Sequence, residues 1–206
     1  MSTFPLVRNS SRSSNVAALL GILESRDVRY VVIGSVAAAV YGVELQAADL
    51  DIVPETDTAN LRSLVDALRE MEAKPLGPFG NWAVVESGEK KWISRPTAER
   101  ELAESMPDVE DLSTLNHLYV TRFGNFDVVP EIRGMYDTLR GRACLGSCEG
   151  FDVWLAHIDE ILARLTVPRR EKDIPRLAAL RDIQRRLGLE QLPPKPRGLG
   201  SPCHKS

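Results

Sequence analysis

Two aspartates separated by one leucine, Asp49-Leu50-Asp51, lead directly into Ile52-Val53 and stop at Pro54. The short run Leu50 to Val53, closed by proline, predicts a strand. Alternate residues of a strand leave the same face, so Asp49 and Asp51 project together. Two carboxylates held side by side repel one another unless a positive charge lies between them. The chain must therefore build a sheet that carries an acidic spot and supply that spot with a cation. A divalent magnesium ion suits it, because magnesium takes oxygen ligands and shares them with the oxygens of a triphosphate.

The segment before the pair is Ile33-Gly34-Ser35-Val36-Ala37-Ala38-Ala39-Val40-Tyr41-Gly42. Val28 to Ile33 predicts a buried strand stopped by Gly34, and Ser35 to Tyr41 a tightly packed helix ended by Gly42. Gly34-Ser35 then opens a helix, with backbone N–H groups and a hydroxyl facing outward as a phosphate site. Thirteen residues separate Ser35 from Asp49, enough for one short helix and a loop back to the adjacent strand. A third acid, Asp127, sits in Phe126-Asp127-Val128-Val129 among apolar residues. An acid in such a run is costly to bury without a local reason. Glu131 is a nearby alternative for the same role.

These residues resemble the signature of polymerase β-type nucleotidyltransferases: Gly34-Ser35, then Asp49-Leu50-Asp51, then Phe126-Asp127-Val128. The similarity extends through Val153 to Ile161 and through Arg169 to Leu177, which look like the C-terminal part of bacterial minimal nucleotidyltransferases. Lys172-Asp173 matches a Lys-Asp pair typical there, and Arg164 stands where lysine is usual; arginine keeps the charge but binds phosphate as a fork. Within the superfamily the likeness is greatest to the AbiEii and MenT-type toxins of bacterial toxin–antitoxin systems. The resemblance covers roughly residues 15 to 187. It implies an α/β, polymerase β-like fold with a short mixed sheet, flanking helices and a helical C-terminal segment. It further implies Asp49, Asp51 and Asp127 as catalytic and metal-binding residues, with Gly34, Ser35, Arg164 and Lys172 on the nucleotide. The cofactor would be Mg2+ (or Mn2+), the substrate an NTP, the acceptor the 3′ end of tRNA, and a further partner a cognate antitoxin protein. A small-molecule nucleotidyltransferase of the aminoglycoside-modifying kind and a catalytically silent nucleotide-binding module are the alternatives.

Around this centre, Asn15 or Ser14 can cap a helix bearing Val16, Leu19, Leu20 and Leu23. Asp57 or Thr58 can cap an amphipathic helix with Leu61, Leu64, Val65, Leu68 and Met71 on one face. Asn81 to Glu86 reads as a strand and Glu99 to Met106 as a weak helix. Thr114–Phe123 and Phe126–Val129 read as strands joined at Gly124-Asn125. A strand over Phe151–His157 and helices over Ile158–Leu165 and Pro168–Leu187 complete the pattern. The expected organisation is a flexible arm (1–14), a catalytic core (15–157), a C-terminal helical segment (158–190) and a disordered tail (191–206).

Charge is divided unevenly. Residues 1–163 hold 15 Lys+Arg against 25 Asp+Glu, and residues 164–206 hold 11 against 4, so −10 and +7 give the net −3. A basic C-terminal part fits a phosphate-rich partner as well as a solvated helix face. No apolar run approaches the roughly 20 residues of a membrane span, and no secretory signal opens the chain, which together predict a cytoplasmic protein. Cys144 and Cys148 are two of the ligands a metal would need, but no Cys or His cluster completes a set, so all three cysteines read as reduced thiols.

Overall fold

The computed structural model describes residues 14–45, 47, 49–76, 80–84, 90–94, 107, 109–110, 112–129, 135–165 and 173–188. For 80–84, 90–94, 112–113, 164–165 and 173 it describes the backbone alone. The expected helix at 99–106, the Glu131 alternative and the tail at 191–206 lie outside these residues.

The chain is a mixed α/β unit. Its elements are α1 (Val16–Ser25), β1 (Tyr30–Ile33), α2 (Gly34–Val40), β2 (Asp49–Pro54), α3 (Thr58–Glu70), β3 (Lys74–Pro75), β4 (Gly80–Val84) and β5 (Lys90–Ser94). There follow α4 (Leu112–Leu115), β6 (His117–Thr121), β7 (Gly124–Val128), α5 (Met135–Arg140), β8 (Cys144–Cys148), β9 (Phe151–Leu155), α6 (Ile158–Leu165) and α7 (Asp173–Arg186). Seven strands form one sheet in the order β3-β6-β7-β2-β1-β9-β8, while β4 and β5 make a separate antiparallel pair. The sheet is mixed: β2 runs parallel to β7 and β1 parallel to β9, and the other pairings are antiparallel.

Register divides the sheet into two unlike faces. Val32, Ile52 and Val128 are cross-strand partners, as are Leu50, Phe126 and Tyr119, and all are buried. With Leu155 they join Leu19, Leu20 and Leu23 of α1 and Leu61, Leu64, Val65 and Leu68 of α3 in one hydrophobic core. Burying each such side chain contributes roughly 1.5–3 kcal/mol. The opposite face carries Val31, Ile33 and Val53 under the short helix α5, and beside them the aspartates. Helices therefore pack on both faces.

Caps follow the sequence closely. The Asn15 side chain accepts from Ala18 N–H, and that of Asp57 accepts from Asn60 N–H. Ser14 does something else. It is buried, its hydroxyl accepts from Asn125 N–H at 2.9 Å, and Asn15 N–H donates to Phe123 C=O at 2.7 Å. The last residue of the expected arm is thus fixed to the β6–β7 hairpin. Gly124 makes this possible, because its φ is +117° and a Cβ there would stand 2.6 Å from Ser14 Cα. Buried Asn60 receives Arg29 N–H and donates to the carbonyls of Arg29 and Glu55, fastening α3 to β1 and β2.

The hairpin turn lies two residues earlier than Gly124-Asn125. Thr121 pairs with Gly124, so Arg122 and Phe123 form the turn, and the Thr121 hydroxyl donates to Gly124 C=O at 2.7 Å. Thr114 and Leu115 belong to α4, where the Thr114 carbonyl accepts from the buried Tyr119 hydroxyl. The strand expected at 151–157 ends at Leu155, and the last helix begins at Asp173, with 166–172 outside the described residues. Five elements were not expected: the strands β3 and β5, the helices α4 and α5, and the edge strand β8. Cys144 and Cys148 are free thiols at opposite ends of β8, about 13 Å apart at strand rise, too far to share a metal ion.

Candidate active site

Asp49 and Asp51 stand on β2, and Asp51 is the direct partner of Asp127 on β7. Parallel partners share a face, so all three carboxylates leave the sheet on the same side, with Asp51 and Asp127 roughly 5 Å apart at the Cα atoms. All three are partly exposed, in contrast to the sealed positions alternating with them. Local sequence predicts the 49/51 pairing, whereas the 51/127 pairing needs the parallel register of two strands far apart in the chain.

Gly34-Ser35 grips this pair. Gly34 has a φ of +68°, and a Cβ there would overlap Asp51 Oδ2 and lie 2.6 Å from its Cγ. Only glycine allows the carboxyl to pack against that turn. The Ser35 backbone N–H donates to the Asp51 carboxylate. Its hydroxyl reaches Asp49, 3.3 Å from both Oδ1 and the backbone carbonyl. Ser35 is only 5% exposed, so its side chain is turned inward onto the acids, and the outward-facing hydroxyl expected from the sequence is not found.

Electrostatics make Asp51 unusual. Burial pushes its carboxyl up to about 8, and the charges of Asp49 and Asp127 push the same way. The Ser35 N–H and the guanidinium of Arg176 on α7 act against them without cancelling them. Among the described residues Arg176 supplies positive charge to Asp51, and the three acids offer carboxylate oxygens, the chemistry that suits a hard divalent cation. Among the described residues no group of three or more His, Cys, Asp or Glu side chains is already arranged as a metal cage. The donor set fits such an ion in charge and atom type, with water and phosphate oxygens left to complete the coordination.

Of the basic residues expected at the nucleotide, Arg164 lies in α6 with its backbone alone described, and Lys172 lies outside the described residues. Arg176, which acts on Asp51, was not anticipated. It stands four positions beyond Lys172, the spacing that puts two helical residues on one face, and that spacing was the signal available. The helix α7 is held by packing on α6, by buried Leu180 and Ile183, and by a Gln184 to Asp159 hydrogen bond. Arg142 also reaches Asp159 and Glu160, at 2.9 Å each, tying α6 back to the start of β8. Tyr41 donates to Ala156 C=O at 3.2 Å, His157 accepts from Asp159 N–H at 3.3 Å, and both complete local packing at the α2–α6 junction.

Among the described residues no helix is long and apolar enough to cross a membrane. No protein-family model matches the chain, and no curated protein matches it. Among solved structures, the chain is similar to the antibiotic-resistance factor ANT(2″)-Ia, whose solution structure reveals substrate-regulated conformation dynamics. The two share 13% identity and superpose with a TM-score of 0.51, over 85% of this chain and 83% of that one. At that identity the likeness is one of overall fold.

Proposed function

We propose that this protein is a metal-dependent nucleotidyltransferase of polymerase β-like type, moving a nucleoside monophosphate from an NTP to an acceptor hydroxyl. The observation that carries the reading is Asp51, enclosed against Gly34-Ser35 with Asp49 and Asp127 on the same sheet face, its carboxyl pushed up by burial and by their charges. The common fold with ANT(2″)-Ia, an aminoglycoside nucleotidyltransferase, supports the same reaction class.

In this reading Asp49, Asp51 and Asp127 would hold Mg2+ (or Mn2+), which neutralises phosphate charge and lowers the pKa of the acceptor hydroxyl. Gly34 and Ser35 fix the two β2 carboxylates and border the NTP phosphates. Arg176 faces the β and γ phosphates, joined by Arg164 and Lys172. Asp127 takes the acceptor proton as the new oxygen–Pα bond forms and the bond from Pα to the bridging oxygen breaks, releasing pyrophosphate. Positioning and charge stabilisation are the main contributions of protein to such a step.

The acceptor we assign is the 3′ end of tRNA, with the protein acting in the cytoplasm as the toxin of a toxin–antitoxin pair. Residues 164–206, at net +7, supply phosphate contacts without reading sequence. Purified protein incubated with α-labelled NTPs, Mg2+ and total RNA should place label on RNA 3′ ends, and Asp51→Asn should abolish it. Label that never enters RNA would overturn the assignment. Because ANT(2″)-Ia is a resistance factor, a small-molecule acceptor is the second reading. Drug protection on expression, in place of growth arrest, would select it.

A further inference from the structure

A second site lies away from the aspartates. β1 and β9 are joined by one register pair, Val32 with Leu155, and below it their N-terminal ends border a cleft of about 280 Å³. Four aromatic residues line it: Tyr30, Phe151, Trp154 and, from α5, Tyr136. The Arg140 guanidinium lies over Trp154, its carbon 3.4 Å from the ring centroid. The other cleft arginine, Arg29, is engaged by Glu55 and Asp57, whereas among the described residues Arg140 has no carboxylate partner. Glu24 and Asp152, both exposed, add acceptors at the rim.

We propose that this cleft binds an unpaired nucleobase of the acceptor strand, stacked with the Arg140–Trp154 pair. Aromatic rings and a guanidinium plane offer π-faces to a base, and carboxylates at the rim accept from exocyclic amino groups. The volume is at the lower limit of small-ligand pockets, which suits one base and excludes a duplex. Position agrees. Trp154 alternates with Leu155 and so lies on the same sheet face as Asp51, with about 12 Å between them by strand spacing and rise. A short single strand whose terminal hydroxyl reaches the aspartates is long enough to reach the cleft around α5, which covers Val31 and Val53 between them. The inference rests on the nucleotidyl-transfer reading for its choice of ligand, but its test does not require turnover.

Fluorescence anisotropy with a labelled single-stranded RNA tetranucleotide measures binding to the full chain. Arg140→Gln and Trp154→Leu should each weaken it roughly 5- to 100-fold, the range for one lost base stack. Circular dichroism of each variant confirms folding, and Arg140, at the surface end of α5, is the one expected to fold unchanged. Unaltered affinity in folded Arg140→Gln overturns the inference, as does equal Arg140-dependent binding of a blunt duplex or an aromatic peptide. Transfer to RNA that ignores Arg140→Gln would sink the cleft and spare the proposed function. Arg140-dependent RNA binding with no transfer to any acceptor would do the reverse.

Discussion

Replacing Asp51 with asparagine should stabilise the metal-free protein while removing its chemistry. The carboxyl is pushed from 3.8 to about 8 in the folded chain, by burial first and then by Asp49 and Asp127. A raised acid pKa means that the folded state binds its proton more tightly than the unfolded state does. Stability is therefore undiminished below about pH 4, declines as pH rises from about 4 to about 8, and is level above that. Each unit costs about 1.4 kcal/mol, so the interval from 3.8 to pH 7 gives about 4 kcal/mol. Asp51 is partly exposed, and screening reduces this to about 2–3 kcal/mol. Asparagine keeps the shape and an oxygen for the Ser35 N–H, but never ionises. Urea denaturation in EDTA should find wild type and variant equal near pH 4 and separated by that amount at pH 7. For a chain of this length the difference corresponds to a Tm higher by about 4–12 °C. Magnesium at about a hundred times its Kd should return about 2.7 kcal/mol to the wild type and nothing to the variant. Curves that stay parallel from pH 4 to 8 would refute the reasoning, because Asp51 would then lie in a water-like environment.

Two further perturbations test the surrounding framework. Arg176→Ala should lower kcat/KM for NTP about 10- to 100-fold, the loss expected for one charge-assisted phosphate contact. It should also carry the decline in stability on to higher pH, since Arg176 holds the Asp51 pKa down; steady-state kinetics and the urea series check the two effects. Gly124→Ala should cost about 1–3 kcal/mol, because φ is +117° and Ser14 Cα stands 2.6 Å from the new Cβ. Thermal melts should show little recovery on adding Ser14→Ala, since that removes Oγ, 2.5 Å from the new Cβ, but leaves Cα at 2.6 Å and Cβ at 2.8 Å.

Much of the local structure was legible because it depends on neighbours in sequence. The apolar spacing of Leu61, Leu64, Val65 and Leu68 dictates a helix with one buried face, and Asp57 caps it. Asp49 and Asp51 share a side because strand residues alternate. Other features had no local signal. β8 is Cys-Leu-Gly-Ser-Cys, without the β-branched residues that mark a strand, and pairs only because β9 lies beside it. Gly124 invites a turn at its own position, yet the Thr121 hydroxyl closes the hairpin earlier and leaves Gly124 to receive Ser14.

What the sequence alone determined is the acidic strand and the glycine-led turn before it, since both rest on alternation and on the conformational freedom of one residue. Only the tertiary structure decided that Asp127 would face Asp51 across a parallel register, that Arg176 would come within electrostatic reach of Asp51, and that β1 and β9 would part to leave an aromatic cleft. Those relations depend on strands and helices meeting from distant parts of the chain. Hydrophobic burial on the far face of the sheet brings them together, and no neighbouring residue records it.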